Sequence, residues 1–183
     1  MIPTITQQLK ALKIRVEESL IPELPESAKF AREQAALIVT TLDWMLDTHE
    51  HAYRYEVVEN TEYRELLEAM LARNVDASVD PDLLSDARLL LQEKGPERNE
   101  AAIPLQHVLE QNRRLKKVSL GIYTALSAEG GSRANPTRDL VSAVSQRQGR
   151  REIAFFRKTG WVQTYDELGA LLGEIPSIER LAA

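Results

Sequence analysis

AALIVTTLDWMLDTHEHAYRYEVVE, residues 35–59, is the stretch on which the fold turns. Ala35, Ile38, Leu42, Met45 and Leu46 return at intervals of three and four, and Phe30 and Ala31 extend the stripe toward the N-terminus. That is the period of an α-helix with one face turned to a core. The pattern predicts a long helix from about Ser27 toward Glu59, where Asn60 or Thr61 caps a fresh start for EYRELLEAML unless one helix runs through.

The second half of the stretch contains DTHEHAYRYE, residues 47–56, with two of the chain's three histidines. At roughly 100° per residue from Leu42, His49 and Tyr53 fall within about 20° of the stripe's centre and Glu56 within about 40°, whereas His51 lies almost opposite. The two histidines therefore cannot share a ligand. Asp47 and His51 form a solvent-side i,i+4 pair, ordinarily a weak contact. His49, Tyr53 and Glu56 remain as polar groups continuing an apolar stripe, with Asn112 on the corresponding face of a later helix. Together they are candidate ligand-binding residues, or acid–base groups facing a cavity. The competing reading is a hydrogen-bonded edge of the core, since an unmatched buried polar group costs on the order of 1–3 kcal/mol. That reading carries more weight, and Asn112 in particular suits the fixing of helix register.

Outward from this stretch, the signals remain helical. Ile5, Leu9, Leu12, Val16 and Leu20 mark a first helix ending near Pro22. SVDPDLL places Asp80 as N-cap and Pro81 at the first helical position, and Gly95-Pro96 closes that helix. A long helix follows through Val108, Leu115, Ile122 and Leu126 to Gly130-Gly131, with Pro104 in its first turn and Ser119 and Gly121 permitting close backbone approach. Asn135-Pro136 opens the next, and Thr164 with Glu167 reads as a capping box for YDELGALLG. A β-hairpin across Thr159-Gly160 is the local rival over residues 153–165, though neither flank alternates cleanly. The expected fold is all-α, a bundle of six or seven helices with two long central ones. One domain spans 1–183, with 135–183 as an alternative C-terminal appendage.

Composition agrees: aromatic residues are only 5%, while Leu, Ala and Glu abound. With no cysteine, disulfides, thiolate nucleophiles and Cys-ligated metals are excluded, and the expected location is cytoplasmic. No stretch reads as a signal peptide or a membrane span. A net charge of −5 argues against a nucleic-acid partner. A di-metal site would use Glu-x-x-His steps, and none occurs; His107 and Glu110 have the order reversed. No metal or cofactor is expected.

The charge is uneven, because residues 145–160 carry five basic side chains against Glu152 alone. Arg147, Arg150, Arg151, Arg157 and Lys158 are interleaved with Phe155, Phe156 and Trp161, which suits a phosphorylated ligand such as a nucleotide or coenzyme A, or an acidic partner. Gly149 stands alone and there is no phosphate-cradling loop, so a helix face paired with the acidic remainder is the stronger reading.

VEESLIPELPESAKFAREQAALIVTTLDWML, residues 16–46, resembles the opening of a family of small helical bacterial proteins of uncharacterised function. In that family a Leu/Val-x-Pro-x-Leu segment ends the first helix, and Phe, Arg and an Ala-rich run begin the second. The matching positions are Leu20, Pro22, Leu24, Phe30, Arg32, Ala35 and Ala36. Members often lie beside genes for acyl-CoA dehydrogenases and aminoglycoside-phosphotransferase-like kinases. The resemblance covers about a third of the chain, transfers no functional residue, and implies an accessory role in acyl-CoA or carboxylic-acid metabolism. The expectation is thus a non-enzymatic protein that binds a protein partner or itself, with Ile175, Ile178 and Leu181 as exposed contacts.

Overall fold

A computed structural model describes residues 2–72, 79–97, 102–128, 134–160 and 162–173. Among them are seven α-helices and no strand, the all-α bundle expected from the sequence. They are α1 (Ile5–Ile14), α2 (Lys29–Thr48), α3 (Ala52–Leu71), α4 (Pro81–Gln92), α5 (Leu105–Ala128), α6 (Ala134–Phe155) and α7 (Leu168–Leu171). No helix is long and apolar enough to cross a membrane among the described residues. The chain divides into two compact units, one of Met1–Ala52 and Glu152–Leu168, the other of Tyr53–Arg151 and Gly169–Ala183. Trp161, Gly130-Gly131, Ile175, Ile178 and Leu181 lie outside the described residues.

In the first unit, Thr4 and Gln7 form a reciprocal capping box at the start of α1, the side chain of each accepting from the other's backbone N–H at 3.2 and 2.9 Å. A π-helical turn, Arg15–Leu20, continues α1 toward Pro22. Arg32 then ties the turn to α2 by donating to the carbonyls of Ile21 and Leu24 at 3.3 and 2.9 Å. The helices are antiparallel, because Thr6 meets His49 while Lys13 meets Asp43.

The break between α2 and α3 falls at His49–His51, well before the expected restart at Asn60 or Thr61. Thr48 Oγ1 donates to the Trp44 carbonyl at 2.8 Å, and His49 Nδ1 donates to the Met45 carbonyl at 2.9 Å. Side-chain donors thus engage the last carbonyls of α2, and the backbone turns with the His51 N–H bonded to Thr48 instead of continuing the ladder.

The C-terminal part of this unit settles the hairpin question. Helix α6 runs to Phe155, a 3₁₀ turn covers Arg157–Thr159, and Gly160 closes it at φ 78°, a conformation that glycine adopts without strain. Trp44 receives this corner: its Nε1 donates to the Phe155 carbonyl at 2.9 Å, its ring meets Phe155 edge-on at 5.8 Å, and it stacks on Phe156 at 6.0 Å. Thr164 accepts from the Asp166 N–H, so it caps a turn ahead of α7, and the last helix is shorter than expected.

The second unit is built around α3, which buries Tyr55, Val57, Val58, Glu59, Asn60, Glu62, Leu66, Leu67 and Met70. Leu66, Leu67 and Met70 pack with Leu84, Ala87 and Leu90 of α4, Leu115, Val118, Ile122 and Leu126 of α5, and Leu140 and Val144 of α6. Asp80 caps α4 by accepting from the Asp82 N–H at 2.9 Å, with Pro81 in the first turn as the sequence indicated. Gly121 allows α4 to approach α5: a Cβ there would lie 2.9 Å from Leu83 Cδ2. Helix α6 begins at Ala134, so Asn135 lies inside its first turn and is not its cap.

Leu67 is completely buried, so Leu67→Ala is expected to lower unfolding stability by about 2–5 kcal/mol. Asp80→Ala, which removes only a cap, is expected to cost about 1 kcal/mol. Urea titration followed by far-ultraviolet dichroism checks both values and their order.

Candidate functional site

The four residues singled out around the histidine-rich stretch are divided between the two units. His49 belongs to the first unit, where Nε2 lies 3.0 Å from Thr6 Oγ1 and the Thr6 hydroxyl also reaches Glu50 at 3.0 Å. Its ring is largely covered, the side chain being 19% exposed, as the helical phase from Leu42 implied. Tyr53 belongs to the second unit and donates to the Ile103 carbonyl at 2.9 Å. Only Glu56 and Asn112 meet, the Asn112 amide donating to the Glu56 carbonyl and to Glu56 Oε2, both at 2.9 Å.

Asn112 is the hub of a polar ladder joining three helices. Its Oδ1 accepts from Asn60 of α3 at 2.8 Å, and Asn60 Oδ1 accepts from Arg64 Nε at 2.8 Å. Arg64 in turn donates to the carbonyls of Leu90 and Leu91 at the end of α4, at 3.1 and 3.4 Å. These carbonyls have no intrahelical partner to expect, so the guanidinium completes the helix terminus. Burial pushes Arg64 below its usual value, with the charges of Glu93 and Glu68 opposing that shift. Both faces of the Asn112 amide are occupied, which supports register fixing over ligand contact.

A second ladder carries charge through the same unit. Glu62, almost fully buried on α3, accepts from Arg147 Nε at 2.8 Å and from both terminal nitrogens of Arg151, one at 3.1 Å. One turn earlier, buried Glu59 pairs with Lys116 of α5 at 2.6 Å and with Gln148 of α6, which also donates to the Tyr55 hydroxyl at 3.0 Å. Two carboxylates thus stand on one helix at positions 59 and 62, each met by basic groups from a neighbour. No group of three or more metal-ligating side chains occurs among the described residues.

The basic segment is likewise engaged internally. Arg147 and Arg151 face Glu62, while Arg157, in the other unit, makes a two-pronged pair with Asp47 at 2.7 and 2.8 Å and reaches Glu167 at 3.7 Å. The five basic residues therefore serve different units: Arg147, Arg150 and Arg151 one, Arg157 and Lys158 the other. Arg157 also explains why Asp47 does not pair primarily with His51. Its guanidinium holds the Asp47 carboxyl below the usual aspartate value. Phe155 and Phe156 are packed on Trp44, which engages part of the aromatic surface proposed for stacking.

No protein-family model, curated protein or solved structure matches this chain.

What the sequence reading missed is an open apolar face on the α1–α2 hairpin. Each charged residue of α2 (Lys29, Arg32, Glu33, Asp43 and Asp47) projects within an arc of about 100°. The rest of the circumference is uncharged, far more than one neighbouring helix covers. A helix apolar around most of its girth is normally buried on several sides. Here α1 covers one side and the Phe155–Phe156 corner another, while Phe30, Leu37, Ile38 and Met45 of α2 and Ile5 and Leu12 of α1 remain exposed. The signal lay in where α2 lacks charge, a feature hidden when only its apolar periodicity is traced.

Two measurements follow from the ion pairs. Glu62→Ala is expected to cost about 3–5 kcal/mol in unfolding stability, because it leaves the buried Arg151 guanidinium and the half-buried Arg147 without their carboxylate; Arg150→Ala, on an exposed side chain of α6, should cost far less. Asp47 has a lowered folded-state pKa, so its stabilisation is fully present above the unfolded value of about 3.9 and is lost as pH falls through the folded value. The difference in stability between the native chain and Asp47→Asn should accordingly be constant near neutrality and vanish in strong acid, as chemical denaturation across pH will read directly.

Proposed function

We propose that this chain is a non-enzymatic helical interaction protein that docks through the open face of the α1–α2 hairpin. The observation that carries the reading is a contrast between its two kinds of surface. The buried carboxylates Glu59 and Glu62 and the amide of Asn112 are engaged by their neighbours, whereas the hairpin leaves large apolar side chains in water. Exposure of several large apolar side chains on one helix pair marks a contact surface.

An accessory role in acyl-CoA or carboxylic-acid metabolism is the setting implied by the resemblance of residues 16–46, and it belongs to this proposal. A phosphorylated ligand at the basic segment is the weaker reading, because Arg147, Arg151 and Arg157 already face carboxylates. Nucleotides and acyl-CoAs should therefore leave the melting temperature unchanged, whereas a ligand bound only by the native state would raise it in proportion to the logarithm of its concentration. The docking reading is tested by affinity capture from the native cell with the intact chain and with Ile38→Glu. Partners recovered by the first should be absent from the second, and equal recovery by both would refute docking through this face.

A further inference from the structure

The hairpin's apolar residues fall into two sets, each repeating every seven positions. Leu9 of α1 and Val16 of the π-helical turn that follows it, with Ala35 and Leu42 of α2, form the first; all are buried or half-buried. Ile5 and Leu12, with Ala31, Ile38 and Met45, form the second; Ala31 is half-buried and the other four are between 39% and 65% exposed. Interleaved, the sets give the four-three spacing of a bundle seam, in which one set packs within a helix pair and the other against the opposite pair. In antiparallel helices facing each other through the first set, the flanks bearing the second set turn to the same side. The hairpin therefore presents the residue pattern of one half of a four-helix bundle.

We infer that the open half is completed by a second copy of this chain, two α1–α2 hairpins pairing about a twofold axis. This deepens the docking reading above and rests on it. Three observations select a second copy over a foreign partner. The complement of a half-bundle is another half-bundle with the same seven-residue repeat, and the chain itself supplies one. Of the polar positions beside the seam, Gln8, Gln34 and Thr41 are uncharged and Arg15 carries a charge, so a twofold contact brings few like charges together. Finally, Ile5, Leu12, Phe30, Leu37, Ile38 and Met45 are between 39% and 74% exposed. At about 200 Å² for each such side chain, they offer on the order of 650 Å², most of the roughly 800 Å² per partner that a stable interface buries.

Light scattering of the full chain over a concentration series is expected to give twice the 20.7 kDa chain mass. Ile38→Glu should weaken self-association at least about a hundredfold, since it places a charge in an apolar seam, while helicity by circular dichroism stays unchanged. Because the chain has no cysteine, trapping offers an independent check: oxidised Ile38→Cys should yield a covalent dimer, and Glu33→Cys, on the charged arc, should not. A native chain that stays monomeric at every concentration overturns the inference, as does a dimer indifferent to Ile38→Glu with equal trapping at both cysteines. If the monomer nonetheless captures a partner in an Ile38-dependent way, self-pairing falls and docking stands; if capture also fails, both fall.

Discussion

The contact of Glu62 with Arg147 and Arg151 constrains the second unit more than any other interaction in it. A carboxylate lifted out of water incurs several kcal/mol of desolvation, which only close, well-directed partners offset. Arg147 and Arg151 lie one turn apart on α6, so a single helix face presents both to one residue of α3. Any slide or rotation of α6 against α3 would separate them. The leucines of the core tolerate several packings, but this arrangement tolerates one, and Gln148 between the two arginines extends the same restriction to Glu59 and Tyr55.

The Asn60–Asn112 contact does the same for α3 and α5, and Arg64 carries it on to the end of α4. The second unit is thus specified by polar groups and stabilised by apolar ones. Glu59, Glu62 and Asn112 in this interior are committed to holding helices in place. That commitment is the physical ground for reading the protein through its surface.

Helices were legible in the sequence because their signals are local. Asp80-Pro81 announced α4, and the three-four spacing announced α1, α2 and α5. Asn112 was singled out from its place on a stripe, and its burial agrees. The break at His49–His51 was not legible, since no glycine or proline marks it. Nor was the central position of α3, whose buried faces carry Glu59, Asn60 and Glu62, residues that a hydropathy pattern assigns to solvent. Their burial follows from partners about 50 to 90 positions away, information that no local window contains.

Trp44 and the Phe155 carbonyl it holds are separated by 111 positions. On a ribosome adding about 5–20 residues per second, the indole must wait on the order of 5–20 seconds for the segment that covers it. Throughout that interval the nascent hairpin displays its indole as well as its open seam. Trp44 is therefore made long before the segment that shelters it, and its exposure to chaperones and to neighbouring nascent chains is written into the order of translation.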